Sequence, residues 1–185
     1  MLSAETIREF VLAGHGNLEK VKAMLAQEPT LLNAVHVWGE RDTETALQAA
    51  AHVGNRAIAE YLIEQGALLE PCTAASLGRL EAIEQMLTRN PDLIRARGAH
   101  GIPLLSHAAF SGDPKVVEWL YTHGAQEGAS MALSFAVMKG HSEVAAWLLK
   151  HASPDLGFKN YQGKTVLELA QESGNKAMVE LLRQG

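Results

Sequence analysis

Residues 45–67 read TALQAAAHVGNRAIAEYLIEQGA, and this stretch decides the fold. Leu47, Ala50 and Ala51 recur at the three-and-four spacing that puts small apolar side chains on one helical face. Ile58, Ala59, Leu62 and Ile63 draw a second stripe, which stops at Gly66. Val53-Gly54-Asn55 breaks the pattern between them. Gly54 suits the left-handed position that ends a helix, and Asn55 can cap the next one. Two helices of this size cannot bury their apolar faces alone, so neighbouring segments must repeat the pattern.

They do. Aligned on the breaker glycine, six copies stand at Gly16, Gly54, Gly78, Gly112, Gly140 and Gly174. Four residues earlier come Leu12, Ala50, Ala74, Ala108, Ala136 and Ala170. Five residues later come Val21, Ala59, Ile83, Val117, Ala145 and Val179, and eight later Met24, Leu62, Met86, Leu120, Leu148 and Leu182. One helical face is thus repeated in register.

The segments TALQAAAHVGN, PLLSHAAFSGD, MALSFAVMKGH and TVLELAQESGN, with the endings YLIEQGA, WLYTHGA and WLLKHAS, resemble the ankyrin repeat. Gln48, Ser106, Ser134 and Glu168 stand where that family prefers histidine, and the first and third copies are weak. A tetratricopeptide array also consists of helix pairs, but its Trp-Leu-Gly signature is missing. The resemblance implies an all-α solenoid in one domain over residues 1–185, with repeats at about 4–28, 38–67, 68–90, 98–125, 126–152 and 160–185. Successive glycines lie 38, 24, 34, 28 and 34 residues apart, against a family period of about 33. Long fingers (28–44, 90–102 and 153–164) therefore alternate with truncated connections after Gly66 and Gly124. The NPDL-type connections look like those of bacterial ankyrin proteins. The first copy, with Glu5, Arg8 and Glu9 among its apolar residues, reads as a polar cap.

Composition narrows the function. Apolar residues at 47% exclude a disordered acidic chain, and the longest apolar runs are too short to cross a bilayer. The start, MLSAETIREFVLAGHG, mixes charges into its apolar positions and reads as a helix rather than a signal peptide. A single cysteine, Cys72, excludes an internal disulfide framework and fits a reducing compartment, so the expected location is cytoplasmic. A net charge of −5 speaks against general nucleic-acid binding.

Chemistry-bearing motifs are absent. GKT at Gly163–Thr165 lacks the upstream glycine of a phosphate loop. The eight histidines never pair at the i, i+4 spacing of helical metal ligands, and the metal expectation is none. Cys72 reads as a packed core thiol, and no carboxylate pair is singled out for acid–base work. Tyr61, Trp119 and Trp147 share one position and are expected to stack along the outer-helix row. No catalytic residue and no cofactor are expected.

The resemblance implies a non-enzymatic scaffold that binds a protein or peptide. Ankyrin proteins commonly use the finger tips and the two residues before the breaker glycine, which line a concave groove. Here these are His52, Val53, Leu77, Phe110, Met138 and Lys139, with Trp38, Arg41, Arg97, His100 and Tyr161 on the fingers. Exposed contiguous apolar residues and aromatic or basic side chains are the usual stuff of interfaces. The alternatives are a self-associating structural protein and, behind it, an enzyme or regulatory subunit using the groove as a cleft. The expected state is a monomer or weak homo-oligomer, without nucleic-acid or membrane partners.

Overall fold

The computed structural model describes residues 2–40 and 42–184. Six antiparallel helix pairs follow one another among these residues. They are α1 (Ala4–Gly14) with α2 (Leu18–Gln27), α3 (Ala46–His52) with α4 (Arg56–Glu64), and α5 (Pro71–Ser76) with α6 (Leu80–Arg89). Then come α7 (Leu104–Ala108) with α8 (Pro114–Thr122), α9 (Ala129–Lys139) with α10 (Ser142–His151), and α11 (Val166–Glu172) with α12 (Lys176–Gln184). The odd-numbered helices form the inner row and the even-numbered ones the outer row. Neither row has a helix long and apolar enough to cross a membrane, among the described residues.

Local chemistry explains the boundaries. Gly54 and Gly112 adopt φ of 76° and 75°, the left-handed region, and so end the inner helices without a Cβ penalty. Asn17 and Asn55 then accept backbone N–H bonds at the starts of α2 and α4. Gln48 and Glu168, which depart from the family's histidine, close capping boxes with Thr45 and Thr165 instead.

The register read from sequence holds with four local adjustments, one of them in α12, where Met178 is buried in place of Val179. Val21, Ala59, Ile83, Val117 and Ala145 are all fully buried. In α2 and α6, however, the buried residue is one later than expected, Leu25 and Leu87 in place of Met24 and Met86. Leu12 is 43% exposed, because α1 has a neighbouring inner helix on one side only. The expected Tyr61–Trp119–Trp147 row is also different. Trp119 and Trp147 each stack on a histidine of their own helix end, His123 and His151, and it is Tyr121 that meets Trp147 edge-on at 5.5 Å.

The connections alternate in length. The first long one carries a β-hairpin, β1 (Val35–Gly39) paired antiparallel with β2 (Asp42–Thr45). The second is built from 3-10 turns at Pro91–Arg95 and Ala99–Gly101, closed by a single bridge between Arg97 and Pro103. The buried side chains form two clusters. One runs from Phe10 to Leu77 and includes Leu47, Ile58 and Leu62; the other runs from Cys72 to Leu182 and includes Leu105, Leu120, Leu133 and Leu148. They meet at α5.

Two buried groups near α5 are held neutral. Burial, aided by Glu70, pushes the Cys72 thiol up to about 12, so it stays protonated where it packs in the core. The His107 imidazole is pushed down to about 3, first by burial and then by the His52 and His100 charges. Its Nδ1 lies 3.1 Å from Ser76 Oγ, which in turn donates to the Cys72 carbonyl at 3.1 Å.

Candidate binding groove

The inner-helix ends and the long fingers enclose a groove of about 590 Å³ on the concave side. Its floor is aromatic: Phe110 stacks on Phe135 with ring centroids 4.4 Å apart. Met131 and Met138 from α9 and Phe158 and Tyr161 from the last finger continue the apolar wall. Polar groups sit at the ends. His52 and His100 stand at one, Asn160 at the other, and Ser134 Oγ is fully buried in the floor without a hydrogen-bond partner. Lys139 Nζ reaches across to donate to the Val53 carbonyl at 2.6 Å, spanning the gap between α9 and α3.

A second feature adjoins the His52 end. Glu44, at the base of the hairpin, is 0% exposed. Its Oε2 accepts from Trp38 Nε1 at 2.8 Å. Its Oε1 faces three imidazoles: His52 Nδ1 at 2.9 Å, His100 Nε2 at 3.6 Å and His15 Nε2 at 3.8 Å. Burial pushes the Glu44 carboxyl up, but His52, Trp38 and His15 together outweigh it and hold it below the ordinary glutamate range. His100 is in the left-handed region (φ 58°), which a non-glycine residue enters at a cost. Asp42 steadies it there through its backbone N–H at 3.1 Å and its Nδ1 at 2.9 Å.

The stacked helix pairs and the glycine-ended inner row are matched by sequence comparison. A family model described as ankyrin repeats (three copies) matches residues 105–185, and an ankyrin repeat model matches residues 42–74. The chain belongs to the ankyrin repeat family. Ankyrin repeats generally mediate protein–protein interaction, and proteins built from them are typically non-enzymatic interaction modules. No curated protein matches the chain. Residues 1–41 and 75–104, which hold most of the two weak copies, lie outside both matches.

The residues expected to bind a partner divide into three groups on this ankyrin scaffold. His52, Val53, His100, Phe110, Met138, Lys139 and Tyr161 all line the groove, and Tyr161 is 77% exposed at its rim. Trp38 and Arg97 are engaged elsewhere in the fingers. Trp38 is tied to Glu44, and Arg97 pairs with Glu127 and donates to the Gly101 carbonyl at 2.7 Å. Leu77 is a correction. It is 5% exposed, because as the C-cap of α5 its side chain packs into the N-terminal cluster beside residues such as Ile58 and Leu62. Arg41 lies outside the described residues. Sequence reasoning misses Phe135, Met131, Ser134 and the gathering of Glu44 with three histidines. Phe135 and Ser134 sit mid-helix, five and six residues before Gly140, where the repeat pattern marks no binding position.

Proposed function

We propose that this protein is a non-enzymatic scaffold that binds a protein or peptide segment in its concave groove. The observation that carries this reading is the Phe110–Phe135 stack, which floors an apolar groove with polar groups at both ends. An apolar side chain of the partner seats on the rings, while its polar groups meet His52 and His100 at one end of the groove. The finger tips, Tyr161 foremost, add rim contacts.

The test is selection of peptides from a random library against the immobilised protein, followed by titration against a groove variant. Met138→Glu puts a charge beside the stack at a partly exposed position, so it should leave folding intact and weaken the selected peptides at least tenfold. Peptides that bind Met138→Glu as well as wild type overturn the assignment. Self-association through the same strip is read by light scattering. A wild-type dimer that Met138→Glu converts to monomer would replace the peptide with a second copy of the chain.

A further inference from the structure

We propose that His15, His52, His100 and Glu44 form a binding site for a divalent transition-metal ion, with zinc the expected occupant. This does not rest on the peptide-binding reading, and it departs from the expectation drawn from sequence spacing. The spacing rule looks for ligands one helical turn apart. Here they come from four elements: the cap of α1, the end of α3, the second hairpin strand and the finger before α7.

The geometry suits a metal better than a set of hydrogen bonds. Ligand atoms around a tetrahedral zinc, each about 2.0–2.2 Å from the ion, lie about 3.3 Å apart. Ligand atoms of His15, Glu44 and His52 all lie within 4.8 Å of one another, and the His100 Nε2, 3.6 Å from Glu44 Oε1, is the fourth ligand that closes in on the ion. That oxygen is fully buried, its polar neighbours are the imidazoles alone, with His52 Nδ1 nearest at 2.9 Å, and among the described residues no lysine or arginine pairs with Glu44. A buried carboxylate oxygen with imidazoles as its only partners is costly, and a metal ion seated between it and the rings removes the cost.

Around His15 and His100 the shell is arranged for the same task, while His52 Nδ1, which also lies 3.2 Å from the Gln48 carbonyl, takes an ion in the tautomer that carries its proton on Nε2. His15 Nδ1 lies 3.2 Å from the Val11 carbonyl, and a proton shared there leaves the lone pair of Nε2 facing Glu44. His100 Nδ1 is held by Asp42 Oδ2 at 2.9 Å, again leaving Nε2 facing Glu44. Trp38 fixes the other Glu44 oxygen. Carboxylates and carbonyls that orient ligating histidines in this way are the habitual outer shell of metal sites. Three nitrogens and one oxygen favour zinc, or another late first-row ion, over magnesium or calcium, which prefer all-oxygen sites.

The experiment uses tag-free full-length protein, stripped with chelator and titrated calorimetrically with zinc chloride. Cobalt(II) serves as a spectroscopic probe in parallel. The expected result is one submicromolar zinc per chain, a raised melting temperature, and visible cobalt bands of low coordination number. His100→Gly keeps the left-handed backbone but removes a ligand, and Glu44→Gln removes the anion; each should weaken zinc at least tenfold. Asp42→Ala leaves all four ligands in place and should weaken it about tenfold or more through the lost His100 partner. His151→Ala, on the far outer row, should bind as wild type does. Far-UV circular dichroism checks each fold, and Asp42→Ala carries the test should a ligand variant fail to fold. No saturable zinc binding, or binding that His100→Gly and Asp42→Ala leave unchanged, overturns the proposal.

Discussion

Gly112 and Gly54 share a left-handed backbone but not their surroundings. A Cβ on Gly112 would stand 2.9 Å from the His141 ring, whereas at Gly54 it would meet only the flexible end of Lys139, at 3.2 Å. The backbone penalty of about 1–2 kcal/mol applies to both. Gly112→Ala should therefore destabilise by distinctly more than Gly54→Ala in urea titrations, and equal losses would show that His141 gives way. His107 makes a second prediction at this scale. Its folded-state pKa of about 3 lies below the ordinary histidine value of about 6.5. Between those values the unfolded chain binds a proton that the native state refuses, so stability falls as pH drops below about 6.5, by up to about 1.4 kcal/mol per unit. His107→Gln should flatten the melting temperature between pH 7 and pH 5 relative to wild type; an unchanged slope assigns the loss to other groups. Five of the six breaker glycines, all but Gly16, were legible in the sequence because φ of 69–76° leaves few residue choices. The Thr45–Gln48 capping box was written there too, though hidden behind the family's preference for histidine. The Glu44 cluster was not legible, since its members are up to 85 positions apart and share no local spacing.

Helices and fingers were readable mainly as lengths. The glycine spacing carried the alternation of long and short connections, while only packing decides that the first long finger is a hairpin and the second a run of 3-10 turns. Packing also moved the second buried position of α2 and α6 by one residue and buried Leu77, neither of which a period in the sequence can register. The two rows of helices should answer differently to mutation. Phe110, on the inner row, keeps one face on Phe135 and lines the groove. Phe110→Ala should weaken a groove peptide by about 2 kcal/mol or more, as truncated anchor aromatics do. Its effect on folding should be nearer 1 kcal/mol, on the scale of one aromatic pair. Glu118, exposed on α8, should change neither by more than about 0.5 kcal/mol. Calorimetry and thermal melts on both variants check this, and a Glu118→Ala protein that loses binding would move the partner to the outer row.

Over the whole molecule, the two buried clusters meeting at α5 set how the chain comes apart. Solenoids gain stability from neighbour to neighbour, so a break on one side need not spread. Leu62→Ala removes a fully buried side chain from the N-terminal cluster, at a cost of about 2–5 kcal/mol. Amide exchange should then accelerate through α1–α4 while α7–α12 keep most of their protection; uniform acceleration would mean a single cooperative unit. The groove lies across this division, for His52 and Val53 come from one side of α5 and Phe110, Phe135 and Met138 from the other, with Lys139 spanning both. Whatever settles there works as a splint. Its binding energy is added to the weaker block, by an amount that grows with the logarithm of its concentration. Two staggered heat-absorption peaks would be drawn together into one. A scanning calorimeter, which needs neither a label nor a candidate chosen in advance, then becomes a detector for the right partner.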